Sequence, residues 1–239
     1  MCKWLPILLW CGFFITAYSQ ERTDTQAWGG VSLTLDLPKK WTATVQYRNR
    51  FINNVSYYKG SYLFAATEYE FQKNMELTVN YRLALVDVGT FHRFFVGVAS
   101  KTKIGNFTFK LRPAFQYQNQ RFAGDDEVRL DADAYFRPRG TIKYKINKKW
   151  DIYTYIEPFY AFKPSGMKID NWQNSIGLKY EFRKNQHLNP YFVWQPDYGK
   201  KRYTQTNFIF GLDTEFSIKP FKKKKKNKKG VSSARSFMM

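Results

Sequence analysis

The sequence predicts an all-β fold, a closed antiparallel transmembrane β-barrel of about 10–12 strands behind a cleaved signal peptide. Three observations carry that expectation. Alternation of apolar and polar residues with a period of two recurs almost throughout, and no window sustains a helical period. Aromatic residues make up 19% of the 239-residue chain, and they gather near strand ends, as the girdles of a membrane barrel would. The alternating runs also outlast the five or six residues usual for soluble strands. The longest is Leu130 to Ile146, seventeen residues, which would reach about 55 Å when extended. One of its faces is apolar or small, with Leu130, Phe136, Ile142, Tyr144 and Ile146. The other carries Asp131, Asp133, Arg137, Arg139, Lys143 and Lys145.

The chain opens with a targeting pattern. Met1 to Lys3 is a short positive start, Trp4 to Ile15 an apolar run, and Ala17-Tyr18-Ser19 a small-x-small cleavage site, so residues 1–19 read as a signal peptide and Gln20 as the mature start. The apolar run is shorter than the roughly 20 residues a membrane helix needs. Trp10 before Cys11 argues against a lipoprotein signal. Both cysteines, Cys2 and Cys11, fall in this segment, which leaves a mature protein without thiol, disulfide or thiolate metal site.

Residues 20–218 read as the barrel. Residues 20 to 27 look irregular, and Val31 to Leu37 alternate up to a turn at Pro38-Lys39-Lys40. Trp41 to Ile52 is the next strand, followed by a loop from Asn53 to Gly60. Tyr62 to Phe71 changes its apolar face partway, which suggests a bulge. Lys73-Asn74 turns into Met75 to Leu85, and Gly89 reverses the chain into Phe91 to Ile104, apolar on both faces for several residues. Gly105-Asn106 is a hairpin signal before Phe107 to Gln118. After the loop Ala123 to Glu127 comes the long stretch described above, then Asn147-Lys148-Lys149, Trp150 to Phe162, a loop Lys163 to Asp170, Trp172 to Arg183, Leu188 to Pro196 and Asn207 to Ile218. The count is eleven. Single-chain bacterial barrels have an even number, so one strand is expected to be merged or missed. Connections after odd strands are short and four of five after even strands are longer. Such sorting suits short periplasmic turns and longer outer loops.

Residues 219–239 form a lysine-rich extension expected to be disordered. The net charge is +20; removing nine tail cations and Lys3 leaves +10 for the body. Inward last-strand direction places this tail in the periplasm. KPFKKKKKNKKG could meet anionic lipid or another envelope polymer, but export argues against nucleic acid.

Three stretches resemble an uncharacterised family of bacterial outer-membrane barrels, domain of unknown function 2490: LPKKWTATVQYRNRF (Leu37 to Phe51), FRPRGTIKYKI (Phe136 to Ile146) and IEPFYAF (Ile156 to Phe162). The resemblance implies a lysine-rich turn entering an aromatic strand with arginines, and an Arg-x-Arg strand followed by one with a glutamate ahead of aromatics. Pro138 between the arginines and the lysine tail after the last strand depart from that pattern. The family has no established activity, so the resemblance implies location and fold.

Folded as a barrel, the inward charges are Arg48, Arg50, Arg82, Lys110, Arg112, Asp131, Asp133, Arg137, Arg139, Lys143, Glu157, Lys179, Glu181, Arg183, Asp213 and Glu215. Basic groups outnumber acidic ones. Such a lumen either favours a small anionic solute, as rings of Arg and Lys do, or is filled by paired charges that hold the barrel shut. A non-enzymatic outer-membrane barrel, pore or structural, is therefore expected, with outer-membrane lipid and lipopolysaccharide as its surroundings and no cofactor. A membrane-embedded enzyme acting on lipid is the alternative, and a soluble lipocalin-like binding protein the second. His92 and His187 lie in no nucleophile motif, so neither catalytic nor metal residues are assigned; Asp125-Asp126-Glu127 reads as a solvated acidic loop tip.

Overall fold

The computed structural model describes residues 22–121, 134–198 and 205–219. The signal peptide, Asp131, Asp133, the acidic tip at 125–127 and the lysine run beyond residue 219 lie outside the described residues. Thirteen strand segments follow one another: β1 (Arg22–Leu37), β2 (Trp41–Ile52), β3 (Tyr57–Gln72), β4 (Met75–Val86), β5 (Gly89–Ile104), β6 (Phe107–Arg112), β7 (Ala114–Arg121), β8 (Ala134–Phe136), β9 (Arg139–Lys145), β10 (Trp150–Lys163), β11 (Gly166–Arg183), β12 (Gln186–Asp197) and β13 (Gln205–Ile218). β6 and β7 both pair with β5 and are halves of one strand broken at Pro113. β8 and β9 both pair with β10 and are halves of another broken at Pro138. Proline has no N–H for the ladder, so each break falls where a donor is missing. Eleven through-strands remain.

They close completely. Neighbouring strands are antiparallel except at the seam, where β1 pairs with β13 in parallel from Arg22↔Gln205 to Leu35↔Ile218. The expected closed barrel of 10–12 strands is thus present with eleven, and the even count that favoured a missed strand does not apply. With an odd number of strands the first and last run in the same direction, so a parallel seam is the one way to close. Closure matters because hydrocarbon cannot hydrogen-bond an open edge.

The register fixes the tilt. Followed perpendicular to the strands from Trp28, partners run through Arg50, Gly60 and Val86 to Gly89. In the other direction they run through Gly211, Tyr191, Gly177, Tyr153, Lys143 and Thr108 to Lys103. Both ends lie on β5, offset by 103 − 89 = 14 residues. That offset over eleven strands corresponds to a tilt of about 40°, the usual range for membrane barrels.

The outward face is apolar: Val45, Phe94, Leu111, Phe115, Ile176 and Phe210 are more than half exposed. A soluble protein does not expose such a continuous surface. At the turn end it is rimmed by cross-strand aromatic pairs, Trp41 with Tyr69, Phe107 with Tyr144 and Trp150 with Tyr180, with centroids 4.2–4.7 Å apart. Phe51 beside Tyr58 marks the other end of β2. Ten residues separate Trp41 from Phe51, which at this tilt is about 25 Å of height, the thickness of the apolar band.

Several local expectations change. Residues 22–27 belong to β1. The loops expected at Asn53–Gly60 and Lys163–Asp170 shrink to residues 53–56 and 164–165, because ladders such as Phe162↔Met167 continue beyond the aromatic rim. Loop length therefore sorts by strand parity less than expected. β3 has no mid-strand bulge: its register shifts near its two ends, at Lys59 against β2 and between Tyr69 and Gln72 against β4, and Tyr62 and Phe64 are aromatic residues that point inward.

Candidate functional site in the barrel lumen

Inward positions on the strands enclose a cavity of about 930 Å³. Most of its charged wall comes from seven arginines at mid-height: Arg48 and Arg50 on β2, Arg82 on β4, Arg93 on β5, Arg112 on β6, Arg137 at the β8–β9 break and Arg139 on β9. Two carboxylates answer them.

Glu157 is the first. It is fully buried, and Arg112, Arg137 and Arg139 approach its oxygens at 3.2, 2.9 and 2.5 Å. The sequence arranges this through two prolines. Arg137 and Arg139 flank Pro138, which interrupts the strand without changing the side on which alternate residues emerge. Glu157, just before Pro158 on β10, lies between the β8 and β9 pairings, across from that break. Arg137 also donates to the Gln116 side chain, and its guanidinium lies 4.0 Å from the Phe159 ring centroid. Arg139 covers Tyr155 at 4.2 Å.

Asp213 on β13 is the second carboxylate. It accepts from Arg48 at 2.5 Å and from Gln46 at 3.3 Å across the parallel seam. Gly30 makes room, since a Cβ there would collide with the Asp213 carboxylate. Arg48 is also placed over Trp28, Phe64 and Tyr191. The Tyr191 ring itself lies flat on Gly211, where a side chain would occupy the same space, and Tyr153 covers Gly177 in the same way.

The remaining arginines have no acidic partner among the described residues. Arg50 is sandwiched between Trp28 at 3.8 Å and Tyr62 at 4.2 Å. Arg82 lies over Tyr62 and Phe64 at 5.4 and 5.8 Å, and Arg93 reaches only the Gln118 amide oxygen at 3.4 Å. Aromatic faces hold cations when desolvated, so this side of the wall is built to keep arginines in place without neutralising them. The opposite wall is mostly amide, with Asn171, Gln173, Asn189 and Gln195 beside the Ser175 hydroxyl.

Of the other expected inward charges, Lys110 holds Glu76, which Lys101, not among those expected, also reaches, Lys143 holds Asp151 at 3.3 Å and Lys179 holds Glu215. Glu181 accepts from the Asn185 backbone N–H at 3.0 Å, and Arg183 is exposed at the end of β11. These groups form a mixed-sign rim at the turn end, apart from the arginine belt. Asp131 and Asp133 lie outside the described residues. Sequence reasoning missed Arg93, Trp28, Tyr62 and Phe64. For Arg93 a signal existed: Gly97 and Ala99 share its parity, and this small-residue face opposes Phe94, Val96 and Val98.

His92 faces outward, its Nδ1 2.7 Å from the Tyr81 hydroxyl. His187 is the second residue of β12, with inward parity, not part of a turn.

The family model described as protein of unknown function (DUF2490) matches residues 25–207. The chain belongs to this family. The DUF2490 match runs from β1 into the start of β13 and so includes the seven belt arginines and Glu157, while Asp213 lies beyond it. No relative is found among curated proteins. The barrel is similar to solved structures described as a bacterial polysaccharide outer membrane secretin (10% identity, 72% of this chain and 73% of that one, TM-score 0.47), the NanC porin (11%, 77% and 95%, 0.46) and the KdgM porin (11%, 69% and 80%, 0.44). At these scores the likeness says nothing about what this DUF2490 chain carries or binds.

Proposed function

We propose that this barrel is a small, non-enzymatic outer-membrane pore whose lumen favours anions. The observation that carries the reading is the charge balance at mid-lumen: seven of the eight arginines that line the cavity form the belt, and the carboxylates that pair with them are Glu157 and Asp213, while Arg22, Lys59, Asp24 and Asp197 line the cavity as well. In a low-dielectric wall such an excess lowers the energy of an entering anion and raises that of a cation. The turn end, with its stacked Trp and Tyr pairs, is assigned to the periplasmic face. Residues 219–239 then form a basic periplasmic extension and residues 1–19 a signal peptide removed on export. The apolar outer surface takes outer-membrane lipid and lipopolysaccharide as its surroundings.

Purified protein reconstituted in planar bilayers under a KCl gradient tests the pore. Conductance steps with a reversal potential displaced towards that of chloride are expected. Steps with cation preference would overturn the anion reading. Absence of steps would leave the barrel as a structural element sealed by its own Arg–Glu contacts.

A further inference from the structure

Arg50, Arg82 and Arg93 sit on three strands, β2, β4 and β5, that are close in the barrel wall, and the guanidiniums are near enough to repel one another. None has a carboxylate partner among the described residues. Arg82 is 6% exposed yet lines the cavity, and its side chain makes no hydrogen bond within the described residues. The Nε atoms of all three are buried without an acceptor, as are those of the other four belt arginines, so what sets the three apart is the missing carboxylate. Buried polar groups are nearly always satisfied, and a cluster of like charges removed from water is costly unless something neutralises it. The two other arginine groups of the belt have that something: Glu157 for Arg112, Arg137 and Arg139, and Asp213 for Arg48. Here the wall supplies aromatic faces and, for Arg93, the neutral Gln118 amide oxygen at 3.4 Å, but no carboxylate.

We infer that Arg50, Arg82 and Arg93 form a discrete binding site for an oxyanion, a carboxylate or phosphate group carried by the solute. The site refines the reading of the lumen as an anion path by naming the solute class. A planar guanidinium fork matches a carboxylate or phosphate with two parallel hydrogen bonds, which a spherical halide cannot accept in the same way. The amides facing the triad across the lumen, Gln173 and Gln195, are already joined at 2.8 Å, so the charge of the solute, not its neutral part, decides binding.

Calorimetric titration of the full-length barrel in detergent, which does not require an open pore, tests this apart from conductance. Sodium acetate, inorganic phosphate and sodium chloride are the probes, at matched ionic strength. Saturable binding of acetate or phosphate with chloride at least about tenfold weaker is expected, and whichever oxyanion binds tighter names the group. Arg82→Gln should weaken that binding about tenfold or more, and Arg82→Lys, which keeps the charge but not the fork, should also weaken it. A heat-dependent gel shift identical to the parent shows that each variant has folded. Equal affinity for chloride, no saturable heat with any oxyanion, or unchanged affinity in folded Arg82→Gln would each overturn the site. Conductance without oxyanion binding would sink this inference and leave the pore standing; binding without conductance would do the reverse.

Discussion

Replacing Glu157 by Gln removes the one carboxylate under three guanidiniums while keeping the side-chain volume. At an effective dielectric of about 20, each contact near 3 Å is a gross attraction of about 5 kcal/mol, much of it offset by desolvation. What survives is asymmetric. Breaking a buried pair by deleting one partner costs about 3–5 kcal/mol, because the other charge stays behind unpaired. In this barrel three charges stay behind, approaching Glu157 at 2.5–3.2 Å, and they then repel one another. We therefore expect a loss at the upper end, about 4–5 kcal/mol, in reversible urea unfolding followed by the gel-mobility difference between folded and unfolded barrel. Combining Glu157→Gln with Arg137→Met should recover part of the loss, since it removes one of the repelling charges. A loss below about 1 kcal/mol in Glu157→Gln would refute the reasoning and mean that water already screens the cluster.

Three further outcomes follow from the same geometry. Gly211→Val should cost about 2–3 kcal/mol in the same assay, because its side chain displaces the Tyr191 ring that lies on Gly211 and covers Arg48. Trp41→Ala, which removes a ring stacked at 4.6 Å on Tyr69 at the membrane rim, should cost about 1–2 kcal/mol, with the lumen and any conductance unchanged. The double substitution Ala27→Cys and Phe210→Cys should form a disulfide across the parallel seam, where the two residues are register partners on the outer face; a mass loss of two hydrogens by intact mass spectrometry checks it, and failure to cross-link under oxidation would count against the parallel pairing.

How much of this the sequence revealed depends on the range of the interaction. Side-chain direction has a period of two within a strand, so the inward parity of Arg48, Arg82, Arg112, Arg137 and Arg139 could be read locally. Where the alternation was masked, the reading failed: β5 carries Phe on both faces and hid Arg93, and Tyr62 and Phe64 suggested a bulge because an inward aromatic looks like a change of face. Strand ends were misplaced for another reason. Polar residues such as Lys59 or Lys168 signal a loop, but beyond the membrane rim a hairpin can continue with both faces in water, so polarity no longer distinguishes loop from strand. The pairing of charges was out of reach altogether. Glu157 meets Arg112 across 45 positions of sequence and Asp213 meets Arg48 across 165, distances that only barrel register can bridge.

The seam shows how strongly that register is held. In a strand a one-residue slip turns every side chain to the opposite face. Slipping β13 by one residue against β1 would turn Asp213 and Glu215 outward into lipid and bring Leu212 and Phe210 into the lumen. Arg48 would lose its carboxylate and Lys179 its ion pair with Glu215, while Gly30, whose missing side chain admits the Asp213 carboxylate, would face a different neighbour. A charged group in the bilayer interior costs about 2–4 kcal/mol at the midplane for Arg or Lys and less for Asp or Glu, and the stranded Arg48 adds the cost of an unpaired buried cation. The parallel pair is thus specified by the same charges that line the lumen, so the residues that neutralise part of the arginine belt also determine how an eleven-stranded sheet can close.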